Sequence, residues 1–137
     1  MPIEVVPITG SIGAEVRGID LGDVPIDLAE ELRKLWLDHK VLVIRDQSIS
    51  RKAHIEFGCR FGELEVHPFT ENDGDYPEII VLEAGGQAGS TSVASGWHSD
   101  VTWRAEPSMG SILRGVVVPS IGGDTCFASA SAAYERL

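Results

Sequence analysis

The strongest constraint on the fold is a series of short apolar segments, rich in β-branched residues, separated by glycine and proline turns. The first two, IEVVPITG and AEVRGIDL, flank the turn GSIG and are typical of a β-hairpin. The others are VLVIRDQ, PEIIVLEA, SILRGVVVP and TCFAS. Strands this short, with turns this frequent, favour a sandwich or jelly roll over a doubly wound parallel sheet. We therefore predict a mainly β fold with flanking helices.

Two helices are predicted between the early strands. The first spans Ile26–His39, because its leucines recur at helical spacing, and Asp27 is its predicted N-cap. The second is RKAHIEFGCRFG, with Ser50 as its N-cap, Gly62 as its end and Ile55, Cys59 and Phe61 on its inward face. A third helix begins in SAAYERL.

Length and charge narrow the class of protein. A chain of 137 residues predicts one domain, residues 1–137. The formal net charge of −10 argues against a nucleic-acid partner and against an anionic membrane surface, since both need a basic protein surface. No apolar run reaches the length of a membrane-spanning helix, and no secretory signal is present. Cys59 and Cys126 lie far apart in the sequence, which indicates a reduced, cytoplasmic protein.

The candidate chemistry lies in GWHSDVTW, where His98 and Asp100 are two residues apart. In an extended stretch such residues project from the same side, so both side chains can reach one cation. His54 and Glu56 share this spacing, but they fall in a predicted helix, where residues two apart point to different faces. An imidazole plus a carboxylate is two-thirds of the facial triad that binds iron(II) and leaves coordination positions open.

A third ligand would have to be another histidine. His67 is the only remaining histidine in a predicted loop, and it is equally well explained as a turn residue before Pro68. A small jelly-roll metal protein that uses His67, His98 and Asp100 therefore stays open as an alternative.

WHSDVTW followed by PSIGGDT and SAAYERL resembles the taurine dioxygenase (TauD/TfdA-like) family of iron(II)/α-ketoglutarate-dependent dioxygenases. RDQSIS and RFGELEVHP also resemble family segments, in the family's order. The resemblance implies a double-stranded β-helix, or jelly roll, that is incomplete in this chain. It also implies Fe(II), α-ketoglutarate and O2 as cofactor and cosubstrates, and hydroxylation of a small organic substrate with release of succinate and carbon dioxide.

The same resemblance implies a set of site residues. His98 and Asp100 would bind the iron, and Thr125 would donate its hydroxyl to α-ketoglutarate. His67 would lie at the substrate rather than on the metal. Thr70 and Ala94 stand where taurine-type members carry a tyrosine and an asparagine, so a sulfonate would lose hydrogen-bond partners and the substrate is open.

Three further expectations follow from the resemblance. Trp103 aligns with an aromatic residue near the metal, although a core role explains it equally well. The loop Gly85–Gly96 is a candidate lid or a plain connector. The second histidine ligand and the arginine that binds α-ketoglutarate would lie beyond Leu137, so we expect the chain to be the N-terminal portion of such an enzyme. The alternative is a truncated, non-catalytic remnant with a binding or structural role. A homo-oligomer is possible in either case.

Overall fold

The structure of the chain is a computed structural model, which describes residues 3–68, 72–82 and 96–137. The chain divides into two compact units, the first made of Met1–Glu63 with Val117–Leu137 and the second of Leu64–Val116. The described residues contain five short strands and three helices, so some of the expected β-strands are present. The single-domain assignment and the jelly roll remain predictions.

The first unit begins with the predicted hairpin. Strand β1 (Glu4–Pro7) pairs antiparallel with β2 (Ala14–Arg17). The Thr9 hydroxyl closes the connection by accepting a hydrogen bond from the Ile12 backbone N–H at 3.0 Å. Gly13 follows with a φ of +89°, a conformation that glycine adopts without steric cost. The turn chemistry therefore produces the hairpin that the sequence predicts.

Helix α1 spans Ile26–His39, as predicted. It ends because Lys40 adopts the left-handed conformation and donates its backbone N–H to the Trp36 carbonyl at 2.6 Å. The predicted N-cap was wrong, since Pro25 occupies that position without a side-chain hydrogen bond and Asp27 lies inside the first turn. A carboxylate there still interacts favourably with the positive end of the helix dipole.

The core of the first unit forms where α1 and the sheet meet. Strand β3 (Leu42–Val43) pairs in parallel with β2, which gives the sheet order β1-β2-β3. Leu32 of α1 and Val16 of β2 are each 1% exposed. They belong to one buried apolar cluster with Leu21, Val24, Ala29, Ile49 and Phe57.

Helix α2 spans Arg51–Cys59 and is capped as predicted, because the Ser50 hydroxyl accepts a hydrogen bond from the Ala53 N–H at 3.1 Å. It stops at Cys59, short of the predicted end at Gly62.

The inward face of α2 differs from the prediction at Cys59, whereas Ile55 and Phe61 are half-buried as predicted inward-facing residues should be. Phe57 is buried, whereas Cys59 is exposed. The Phe57 ring packs edge-on against Phe61 at a centroid distance of 5.2 Å, and Phe61 in turn contacts Trp36 at 6.4 Å. Aromatic packing therefore sets the orientation of the helix, and Cys59 is rotated away from the core.

The second unit contains a short hairpin. Strand β4 (Asn72–Asp73) pairs antiparallel with β5 (Tyr76–Ile80). Strand β5 accounts for the strand predicted in PEIIVLEA; the apolar sequence of that segment predicts a buried strand, and this is wrong because its residues are half-buried or exposed.

Two predicted strands, SILRGVVVP and TCFAS, are irregular in the structure. A strand requires ladder hydrogen bonds to a neighbour, and the described residues supply none to these segments. The SIGGD segment between them, whose glycines predict a turn, bends the chain, with φ values of +74° and +73° at Gly122 and Gly123. Helix α3 (Ala130–Tyr134) follows, capped by Ser129. No helix among the described residues is long and apolar enough to cross a membrane.

Candidate metal site

His98 and Asp100 lie side by side in the second unit. The Nε2 atom of His98 is 3.3 Å from Oδ1 of Asp100, so the predicted juxtaposition of the two side chains is present. The other ring nitrogen, Nδ1, lies 2.8 Å from the Gly96 carbonyl oxygen. Because a carbonyl only accepts, Nδ1 must carry the proton, and in the neutral imidazole the lone pair is then on Nε2. The pair therefore presents one nitrogen and one oxygen donor to the same point.

The backbone around the pair is irregular, with a bend at Gly96 and no strand at residues 97–99. Asp100 opens a turn, which the Arg104 N–H closes onto the Val101 carbonyl at 3.2 Å. Val101 has a φ of +54°, which is unfavourable for a β-branched residue. Such a conformation persists only where the surrounding structure holds it. The direction of the chain after Asp100 is therefore decided by contacts with other segments.

One such contact is made by Asp100 itself. Its second oxygen, Oδ2, accepts a hydrogen bond from the Ser111 hydroxyl at 2.8 Å. The side chains of His98 and Asp100 are 55% and 58% exposed, so solvent reaches the pair freely. Ser111 was not identified from the sequence, because a lone serine eleven residues from a ligand carries no distinctive pattern.

A second group of contacts joins this segment to the stretch before His67. The Glu65 carboxylate is paired with Arg104 and accepts a hydrogen bond from the Ser108 hydroxyl. The Arg104 guanidinium also lies over the Trp103 ring, 4.8 Å from its centroid. Trp103 is 61% exposed, so it lies outside the buried cluster of the described residues. Glu65 was missed as well, since its partners lie about forty positions further along the chain.

His67 is half-buried in the same unit. Across residues 3–68, 72–82 and 96–137, however, no group of three His, Cys, Asp or Glu side chains is placed to hold a metal ion. The structure thus brings His98 and Asp100 together without adding His67 to them. This counts against the small metal protein that would use His67 as its third ligand.

The remaining predicted site residues lie elsewhere. Thr125 belongs to the first unit, where it is exposed and follows the Gly122–Gly123 turn in an irregular segment. Thr70 and Ala94 lie outside the described residues, as does the candidate lid Gly85–Gly96 apart from its last residue.

Comparison with known proteins agrees with the resemblance. Residues 4–137 match the family described as "Taurine catabolism dioxygenase TauD, TfdA family". The match covers nearly the whole chain and includes both His98 and Asp100. The chain therefore belongs to the TauD/TfdA family, whose members are Fe(II)-, α-ketoglutarate- and O2-dependent dioxygenases.

Individual relatives support the same placement. The chain is 32% identical to the (S)-phenoxypropionate/alpha-ketoglutarate-dioxygenase of Sphingobium herbicidovorans, over 98% of the chain and 47% of that protein. It is 35% identical to the alpha-ketoglutarate-dependent sulfate ester dioxygenase of Pseudomonas putida, over 100% of the chain and 45% of that protein. The chain thus spans about half the length of these relatives.

A solved structure shows the same fold. A crystal structure from Burkholderia xenovorans, described as a candidate alpha-ketoglutarate-dependent taurine dioxygenase, matches with a TM-score of 0.86 at 36% identity. The match covers 99% of this chain and 48% of that one. These two coverages are what we expect if the chain is the N-terminal portion of a family member, as predicted from the sequence.

Proposed function

We propose that the protein is an iron(II)- and α-ketoglutarate-dependent dioxygenase that hydroxylates a small organic substrate and releases succinate and carbon dioxide. His98 and Asp100 are two of its iron ligands. The observation that carries the proposal is the pairing of His98 Nε2 with Asp100 Oδ1 at 3.3 Å in a chain of this family.

The donor set fits iron(II). Two ligands bound about 2.1 Å from one metal at a right angle lie about 3 Å apart, which is close to the spacing of this pair. The hydrogen bond from Nδ1 to the Gly96 carbonyl holds the imidazole in the tautomer that can bind a metal through Nε2. When bound, iron supplies the redox chemistry that couples decarboxylation of α-ketoglutarate to hydroxylation of a C–H bond.

The other residues of the chain serve binding in this proposal. Thr125 donates its hydroxyl to a carboxylate of α-ketoglutarate, which suits an exposed side chain that follows a tight turn. His67, Thr70 and Ala94 line the substrate site. The relatives named for phenoxypropionate and sulfate esters act on small organic anions. We propose a substrate of this broad class, with taurine disfavoured because Ala94 offers no side-chain hydrogen bond.

The wider setting is part of the same proposal. We expect the jelly roll of the family, a cytoplasmic location, and no nucleic-acid or membrane partner.

The test uses the protein expressed from its full coding sequence. We expect it to bind Fe(II) and to release succinate from α-ketoglutarate in an iron-dependent reaction, and we expect His98→Ala and Asp100→Ala to abolish both properties. His54→Ala and Glu56→Ala remove the same side-chain types at the same spacing from α2 and serve as matched controls that retain both. Succinate release that survives in Asp100→Ala would contradict the proposal, and absence of release from the parent protein would favour the non-catalytic alternative.

A further inference from the structure

We propose that Ser111 is a positioning residue that determines how Asp100 presents its carboxylate to the metal. This inference rests on the proposed function, since it assumes that Asp100 is a ligand. Its basis is the hydrogen bond of 2.8 Å from the Ser111 hydroxyl to Oδ2 of Asp100. The two oxygens of the carboxylate are therefore in different environments, because Oδ1 faces Nε2 of His98 and Oδ2 faces a hydroxyl donor.

The free rotation of the carboxylate makes this difference important. The terminal torsion of an aspartate is broad and roughly two-fold, so an exposed Asp100 would exchange its two oxygens readily. The hydroxyl of Ser111 favours the arrangement in which Oδ1, rather than Oδ2, lies beside Nε2 of His98. Burial does not supply this restraint, because more than half of the Asp100 side chain is exposed.

The restraint bears on how many coordination positions stay open. A carboxylate that binds through one oxygen occupies one position, whereas one that binds through both occupies two. The facial-triad chemistry needs three open positions for the cosubstrate and oxygen. Because the Ser111 hydroxyl donates a hydrogen bond to Oδ2, that oxygen is not available to the metal. Asp100 therefore binds the metal through Oδ1 alone.

Ser111 also connects two parts of the second unit. It lies beyond the turn that Val101 opens in a left-handed conformation. Its hydrogen bond therefore spans eleven positions and holds the segment after the turn against the ligand. The expected consequence of losing it is a metal site with the same ligands but a less defined orientation of Asp100.

The experiment titrates Co(II) into the metal-free protein, expressed from its full coding sequence, and follows the visible absorption of the bound ion. Ser111→Thr keeps the hydroxyl donor. Ser111→Val has the shape of threonine without the hydroxyl, so any change in packing is common to both variants. We expect roughly tenfold weaker Co(II) binding for Ser111→Val, together with a changed absorption spectrum, since partners of metal ligands typically contribute 10–100-fold in affinity. Ser111→Thr should resemble the parent protein in both measurements.

Two controls separate the possible failures. Ser120→Ala removes an exposed serine from the first unit and should leave Co(II) binding unchanged. Ser111→Ala repeats the comparison if the valine variant does not fold. Unchanged affinity and spectrum in Ser111→Val, alongside loss of binding in Asp100→Ala, would overturn the role of Ser111 alone. Retention of binding in Asp100→Ala would instead overturn the proposed metal site.

Discussion

The stretch from Ile3 to Phe61 and the stretch from Gly96 to Leu137 are similar in apolar character but opposite in burial. The first contains the whole buried apolar cluster, including Leu32 and Val16 at 1% exposure. In the second, no residue is buried among the described parts of the chain, and Val117 and Ile121 are each 91% exposed. Hydrophobic sequence is therefore not sufficient for a core.

The two stretches differ in the kind of contacts that their residues make. In the first, a hairpin, two helices and a short strand supply apolar faces to one another within a single unit. In the second, the apolar residues follow the ligand pair in a backbone that is irregular up to helix α3, and its contacts include the polar pairs Ser111–Asp100, Ser108–Glu65 and Arg104–Glu65. The stretch that carries His98 and Asp100 therefore has polar contacts between exposed or half-buried residues, whereas the first stretch has a buried apolar cluster.

The largest expected effect tests the buried side of this contrast. Leu32→Ala should lower the free energy of unfolding by about 2–5 kcal/mol, because it leaves a cavity in the core. Leu37→Ala on the same helix is the matched control, since Leu37 is 60% exposed and should change stability by less than about 1 kcal/mol. Urea unfolding of the two variants measures both, and equal losses would show that α1 does not bury one face selectively.

The second prediction compares the same substitution in the two stretches. Val16→Ala should cost about 2 kcal/mol, because it removes fully buried methyl groups. Val117→Ala should stay within about 0.5 kcal/mol, as expected for an exposed position. Thermal or urea unfolding distinguishes them. A loss at Val117 as large as at Val16 would break the contrast, because it would mean that Val117 is covered in the folded protein.

The third prediction compares two helix caps. Ser50→Ala should cost about 1 kcal/mol, since it removes the acceptor of the Ala53 N–H at the start of α2, which contributes Phe57 to the core. Ser129→Ala removes the corresponding cap of α3, a five-residue helix without a buried residue, and should cost less. Circular dichroism during urea unfolding provides the measurement, and a greater cost at Ser129 would be the contrary outcome.

The smallest expected effect is a dependence on pH at Glu15, on the central strand β2 of the first sheet. Hydrogen bonds from Arg17 and then Arg45 hold the pKa of the Glu15 carboxyl below its ordinary value of 4.5. A lowered pKa in the folded state means that the ionised carboxylate stabilises the fold above that value and loses this contribution as the pH falls through the folded pKa. Glu15→Gln should therefore lower stability at pH 7, with a difference that closes below about pH 4.5.

Salt provides the control for this last prediction. The arginines are at least half exposed, so added salt should also reduce the difference between Glu15→Gln and the parent protein. Unfolding measured at several pH values and two salt concentrations tests both dependences. A difference that grows on acidification would reverse the sign of the linkage and contradict the assignment of Arg17 and Arg45 as its cause.

The sequence by itself determined the features that depend on neighbours a few residues away. The ends of α1, the first hairpin and the Ser50 cap follow from helical periodicity, turn residues and short-range hydrogen bonds. The closeness of His98 and Asp100 is of the same kind, because two residues at this spacing are brought together by their own backbone.

Only the tertiary structure decided the features that depend on distant partners. Cys59 is exposed because Phe57 faces the core and Phe61 packs between Phe57 and Trp36 of α1. SILRGVVVP is strand-like in composition, yet it forms no ladder with the described residues, since pairing needs a second strand in register. The contacts of Ser111 with Asp100 and of Glu65 with Arg104 join positions far apart in the chain. Their residues look ordinary in sequence, and the hydrogen bonds exist only because the fold brings the partners within reach.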